Sequence, residues 1–119
     1  MKAKRVLLLV ESPKSALGRA LSVMKSRRAK YKGMLIISFP DFETLGRVIT
    51  GARVELIHAI RTHKPRSIQE LSRLVKRDFK NVYQDVKLLA EYGLIELKES
   101  GPRKASFPKA NFSELVLAA

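Results

Sequence analysis

In this chain of 119 residues, the side chains with the most suggestive chemistry lie between Phe79 and Tyr92. Val82, Val86 and Leu89 recur at i, i+4 and i+7, the spacing of an apolar helical stripe. The opposite face then carries Lys80, Asn81, Gln84 and Lys87, with Tyr83 at its border. Asn and Gln amides match the donor and acceptor that adenine shows in the major groove, while Lys suits guanine acceptors or phosphate. On that reading Asn81 and Gln84 meet base edges, Lys80 and Lys87 lie nearer phosphate, and Tyr83 donates its hydroxyl to a phosphate. The same residues also suit an ordinary solvated helix face, so the surrounding elements must decide.

Ser67-Ile-Gln-Glu70 is a capping box, with serine at the N-cap and glutamate three residues on. The free amides there, with Ser67, can hold a phosphate at the helix N-terminus, and capping and phosphate binding can coexist. Arg66, Arg73, Lys76 and Arg77 gather around this helix as candidates for backbone contact. Catalytic chemistry finds little footing. No pair of carboxylates sits at a spacing that proposes an acid/base dyad. His58 and His63 have no neighbouring His or Cys to complete a metal-ligand set. Ser12 has no base nearby in sequence, and Gly18 and Gly33 do not form a phosphate-binding loop. No catalytic residue, metal or cofactor is assigned, and an enzyme is not expected.

The elements that would position these groups read as follows. Arg5-Val-Leu-Leu-Leu-Val10 suits a buried strand. Ser12-Pro13 starts a helix with Leu17, Leu21 and Met24 on one stripe, followed by the basic run Lys25, Arg27, Arg28, Lys30 and Lys32. That run fits a phosphate-binding flank, a face for an acidic partner or a solvated turn. Met34 to Phe39 is a second strand. Asp41 caps a short helix to Ile49, with Phe42, Leu45, Val48 and Ile49 on one side, and Thr50-Gly51 breaks it. Ala52 to Thr62 is a helix with Val54, Leu56, Ile57 and Ile60 inward. Pro65 makes a turn, and the capped helix that follows buries Ile68 and Leu71, with Leu74 and Val75 behind them. Asp78 caps Phe79 to Tyr92, and Gly93 ends that helix. Leu94 to Leu97 and Ala105 to Phe107 pair across a turn at residues 99–103. Phe112 to Leu117 suits a strand or a short helix.

Three helices and a hairpin, with a short second helix tightly joined to the third, are the layout of a winged helix-turn-helix. The residues that carry the likeness are Ser67-Ile-Gln-Glu-Leu71, Asn81-Val-Tyr-Gln-Asp-Val86 and Leu88-Leu-Ala-Glu-Tyr-Gly-Leu-Ile95. The last of these resembles the close of the third helix in winged-helix repressors of the MarR and arsenic-repressor kinds. Within that superfamily, Arg66 to Ile95 is similar to a group of prokaryotic predicted transcriptional regulators, some of them encoded beside toxin-like genes. The resemblance spans roughly residues 37–110. It implies a winged helix-turn-helix DNA-binding domain, placed at residues 37–119; with the strand, helix and strand read from the residues ahead of it, the fold expected is α+β, with residues 1–36 an N-terminal extension for dimerisation or partner binding. It also implies DNA contact by Ser67, Arg77, Lys80, Asn81, Tyr83, Gln84 and Lys87, with Arg103 and Lys104 at a hairpin tip beside the minor groove. A solubilising loop is the competing reading of that tip.

Composition limits the partners. The chain has 24 Lys+Arg against 11 Asp+Glu, a formal charge of +13, and a hydrophobic fraction of 45% that supports a core. Residues 1–50 carry 11 basic and 3 acidic side chains; residues 51–119 carry 13 and 8. Such an excess points to polyanions. There is no cysteine, and no apolar run approaches the ~20 residues of a spanning helix or the ~7–15 of a signal-peptide core. A cytoplasmic protein that binds no membrane is expected. The function implied is a sequence-specific, homodimeric regulator of transcription that binds double-stranded DNA as a repressor. One alternative is an antitoxin of a toxin-antitoxin system, which neutralises a protein toxin and regulates its own operon. Another is a non-specific nucleic-acid-binding protein, disfavoured by the scarcity of aromatics for base stacking.

Overall fold

Four helices open on side-chain caps, two from Asp, one from Thr and one from Ser. In the computed structural model, which describes residues 5–12, 14, 17, 18, 34–100 and 105–118, these are α1 (Phe42–Val48), α2 (Gly51–His63), α3 (Ile68–Val75) and α4 (Phe79–Glu91). Asp41 Oδ1 accepts from the Thr44 amide at 2.7 Å before α1. Thr50 Oγ1 accepts from the Arg53 amide at 3.2 Å before α2. Ser67 Oγ accepts from the Glu70 amide at 3.0 Å before α3, and Asp78 Oδ2 from the Asn81 amide at 3.4 Å before α4. Each bond satisfies one amide that the first helical turn leaves without a partner.

Five strands accompany them: β1 (Arg5–Val10), β2 (Met34–Phe39), β3 (Glu96–Ser100), β4 (Ala105–Lys109) and β5 (Glu114–Ala118). The fold is α+β, and it divides into two compact units. One comprises Met1–Arg47 with Phe112–Ala119, and the other Val48–Asn111. The division therefore falls at 47/48 and 111/112, whereas the sequence suggests 36/37.

In the first unit, β1 lies between β2 and β5 and runs parallel to both. Arg5 stands opposite Met34 and Glu114, and Val10 opposite Phe39. Parallel strands are usually covered on both faces and so read as unbroken aliphatic runs. Here Val6, Leu8, Ile37 and Phe39 are buried, while Leu7 and Leu9 on the other face are half-buried. The Glu11 amide extends the β1/β2 pairing by donating to the Phe39 carbonyl at 3.0 Å, and Ser38 Oγ donates to Glu11 Oε1 at 2.9 Å. Of the Phe112–Leu117 segment, open to either reading from sequence, Glu114 onward is strand in β5, and Phe112 and Ser113 lead into it. In the helix expected after Ser12, residues Lys14, Leu17 and Gly18 are helical and exposed. Leu21, Met24 and the Lys25–Lys32 run lie outside the described residues. Phe42 does not join the buried side of α1; it is exposed, whereas Leu45 and Val48 are buried.

The second unit packs α2, α3 and α4 around Leu56, Ile57, Ala59, Ile60, Ile68, Leu71, Val82, Val86 and Leu89. Val54 is exposed, contrary to the inward placement expected of it. At about 100° per residue it sits nearly half a turn from the stripe of Leu56, Ala59 and Ile60. Leu74 is also exposed, and Val75 is half-buried. Helix α4 closes at Gly93, whose φ of 82° is the left-handed conformation glycine adopts freely. The Leu94 amide then reaches the Leu89 carbonyl and the Gly93 amide the Ala90 carbonyl, both at 3.0 Å, which is a Schellman closure. Leu94 and Ile95 are buried by this turn, so β3 starts at Glu96. It pairs antiparallel with β4, from Glu96 opposite Lys109 to Ser100 opposite Ala105. Pro108, which has no amide hydrogen, is tolerated because this ladder has only two strands.

Candidate nucleic-acid interface

The connection between α3 and α4 is short and tightly specified. Lys76 takes a left-handed conformation at φ 55° and ψ 47°. The Arg77 amide reaches back to the Ser72 carbonyl at 3.0 Å, closing α3, and Asp78 at once caps α4. Ser72 is buried, and its hydroxyl donates to the Gln69 carbonyl at 2.7 Å. Ser67 is half-buried with its Oγ engaged by the cap, while Arg66, Arg73 and Lys76 are exposed nearby.

Arg77 is placed differently from the other basic residues assigned to DNA. Its Nη2 donates to Asp85 Oδ2 at 2.7 Å, and Asp85 Oδ1 accepts from Arg53 Nε at 3.0 Å. Arg53 also donates through Nη1 to the Val48 carbonyl at 3.1 Å. The side chains of Arg53, Arg77 and Asp85 are only 20%, 28% and 15% exposed. Arg77 Nη1 is buried without a hydrogen-bond partner. One carboxylate on α4 is thus clamped by a cation from α2 and another from the α3–α4 turn. The clamp fixes the rotation of α4 about its axis, and it withdraws the Arg77 guanidinium from the surface. Sequence reasoning assigns neither Arg53 nor Asp85. The available signal is Asp85 itself, an acid beside the apolar stripe in the middle of a helix whose other acid, Glu91, is its last residue.

With α4 oriented in this way, Lys80, Gln84 and Lys87 lie opposite the buried Val82, Val86 and Leu89 and are exposed. Asn81 is exposed along the flank that also holds Asp85. Phe79 and Tyr83 form the other flank, 48% and 40% exposed, with stacked rings whose centroids are 6.0 Å apart. Lys87 Nζ lies 5.6 Å from the centre of the Tyr83 ring, a cation–π distance. The structure thus brings Lys80, Asn81, Tyr83, Gln84 and Lys87 onto one solvent-facing surface. It also adds Phe79, which the sequence pattern gives no reason to expect there. Thirteen residues of α4 span about 20 Å at 1.5 Å each, and a major groove about 12 Å wide admits a helix.

Arg103 and Lys104 lie outside the described residues. On β3, Lys98 is half-buried, with Nζ 3.7 Å from Glu96 Oε2. His58 and His63 are both exposed. Among the described residues, no group of three or more His, Cys, Asp or Glu side chains is arranged to hold a metal ion. Among them too, no helix is long and apolar enough to cross a membrane.

Residues 48–116 match the HVO_A0114 family, a span that covers all of the helical unit and β3, β4 and the start of β5. The chain belongs to that family. No curated protein and no solved structure matches it.

Proposed function

We propose that the Val48–Asn111 unit is a winged helix-turn-helix that reads duplex DNA through α4, and that the protein is a homodimeric transcriptional regulator acting as a repressor. The observation that carries this reading is the outward surface of α4. There an exposed Asn81 and Gln84, able to bond base edges, stand among exposed Lys80 and Lys87, able to bond phosphate. The order α2, α3, α4, β3, β4 supports it, because α3 then braces α4 and the β3–β4 hairpin becomes the wing. Repression follows by occupancy: two copies place their α4 helices in successive major grooves about 34–36 Å apart. Ser67 and the amides of the first turn of α3 meet phosphate beside the groove.

Selection of bound duplexes from a random pool tests the reading. The expected result is a pseudopalindromic consensus with adenine at the positions faced by Asn81 and Gln84. Alanine at either residue then costs about 1–3 kcal/mol on the consensus and little on random DNA. Equal losses on both sequences would remove the base-reading role, and failure to enrich any sequence would overturn sequence-specific binding.

A further inference from the structure

Phe79, the apolar member of the aromatic pair on α4, has no polar atom for base-edge hydrogen bonding or phosphate contact, yet it occupies part of the same exposed surface. Phe79 is the first residue of α4 and is 48% exposed. Its ring stacks against Tyr83 with an angle of 16° between planes, and Tyr83 in turn lies under Lys87 Nζ. Phe79, Tyr83 and Lys87 therefore form a continuous i, i+4, i+8 ladder of ring, ring and cation along one edge of the helix. At 48% exposure Phe79 lies outside the buried core of its unit, and its apolar ring remains in contact with water. The ladder gives that ring a fixed direction: the Tyr83 ring stops it folding back along the helix.

Resting on the DNA-binding reading of α4, we propose that Phe79, held by Tyr83, is a thymine-specific contact that packs on the C5-methyl group in the major groove. Thymine is the base that presents a methyl group there, and an apolar side chain is the complementary reader. The occupant is set by charge. The ring is flanked by Lys80 and, through Tyr83, by Lys87, in a chain of formal charge +13, so its partner is a polyanion that displays an apolar group between phosphates. Duplex DNA at a thymine meets that description. Asn81 and Gln84 supply the polar half of the reading surface from the other side of the helix, and Phe79 supplies the apolar half.

The test compares a duplex selected from a random pool with the same duplex in which every thymine is replaced by deoxyuridine. Wild-type protein is expected to bind the deoxyuridine duplex about fourfold more weakly for each methyl group that it covers, the equivalent of about 0.8 kcal/mol. The Phe79→Ala variant is expected to bind both duplexes alike, and Phe79→Leu to keep most of the discrimination. Phe79 is exposed, so helical circular dichroism of the Ala variant should match that of the wild type. Equal wild-type affinity for the two duplexes overturns the assignment while leaving DNA binding by α4 intact. So does a deoxyuridine penalty that persists in Phe79→Ala. Absence of any duplex binding, or tighter binding to the single strand, would overturn the parent reading as well.

Discussion

Replacing Asp85 with alanine is expected to destabilise the Val48–Asn111 unit by about 3 kcal/mol. The magnitude follows from the two bonds that the carboxylate accepts, at 3.0 Å from Arg53 Nε and 2.7 Å from Arg77 Nη2. A hydrogen bond to a charged group contributes about 1.5–3 kcal/mol, so two would contribute about 3–6 kcal/mol if fully sheltered. The guanidinium groups keep some access to water, which takes the sum to the low end of that range. The loss is still large, because Arg77 Nη1 is already buried without a partner and its neighbour Nη2 would join it. A domain of 60–100 residues loses about 4–8 °C of melting temperature per kcal/mol, so the fall should be about 12–24 °C. Thermal and urea melts followed by far-UV circular dichroism suit the assay, since α2, α3 and α4 hold most of the helical residues among those described. The triple replacement Arg53→Met, Arg77→Met, Asp85→Leu should recover most of the loss, because apolar groups of similar volume substitute well for a sheltered ion cluster. A loss in Asp85→Ala below about 1 kcal/mol, the range of exposed pairs, would refute the clamp. Strict additivity between Asp85→Ala and Arg77→Met would do the same.

Removing Lys80 or Lys87 should weaken binding to all duplexes and reduce the slope of log K against log salt by about 0.9 per lost phosphate contact; an unchanged slope would exclude that contact. Lys76→Gly should raise stability by about 0.5–1 kcal/mol in a urea melt, because glycine adopts the left-handed conformation at φ 55° without the cost a side chain imposes. A loss of stability would show that the Lys76 side chain contributes more than the backbone strain costs. Ser67→Ala should cost about 1 kcal/mol through the lost α3 cap, and Ser67→Asp should restore stability while weakening DNA affinity. The Thr44 amide, then the Thr44 hydroxyl, and to a smaller degree Arg47, hold the Asp41 carboxyl below its ordinary range. The unfolded chain therefore takes up this proton first as acid is added. The cap's contribution is complete above the unfolded pKa and is lost as pH falls through the lower folded one. An NMR titration of the Asp41 carboxyl should give a midpoint below that of an unstructured Asp; a midpoint at or above it would contradict the assignment.

Local features of this fold are the ones a reader of the sequence can extract. Asp41, Ser67 and Asp78 declare their caps by residue type and position, and Gly93 declares the end of α4, because each acts within four residues of itself. The Val82, Val86, Leu89 stripe is buried as its spacing requires, and the opposite face of α4 follows from it. Helix α2 is harder to read. Val54 is apolar but lies off the buried arc, and composition cannot separate it from Leu56 and Ile57. The non-local features leave little local trace. Arg77 looks like any other cation of a basic chain until Asp85 and Arg53 are brought to it from two helices. The Phe79–Tyr83 stack has the i, i+4 spacing of a core pair, and only the packing of α4 shows that it faces water. Strand β5 is equally opaque: its apolar run fits more than one element until its pairing partner is known.

The parallel pairing of β5 with β1 also bears on how the chain is made. Arg5 has been synthesised long before its partner Glu114 leaves the ribosome, and β1 cannot gain its second neighbour until then. Every residue of the Val48–Asn111 unit is available earlier, so that unit can fold while the sheet is still two strands wide. A lone strand pair is marginal in water. Chains that stall or are cut ahead of β5 would therefore carry a finished helical unit on an unfinished sheet, with the β1 edge open to proteases. Pairing with β5 covers that β1 edge and ties the last described strand of the chain to its first.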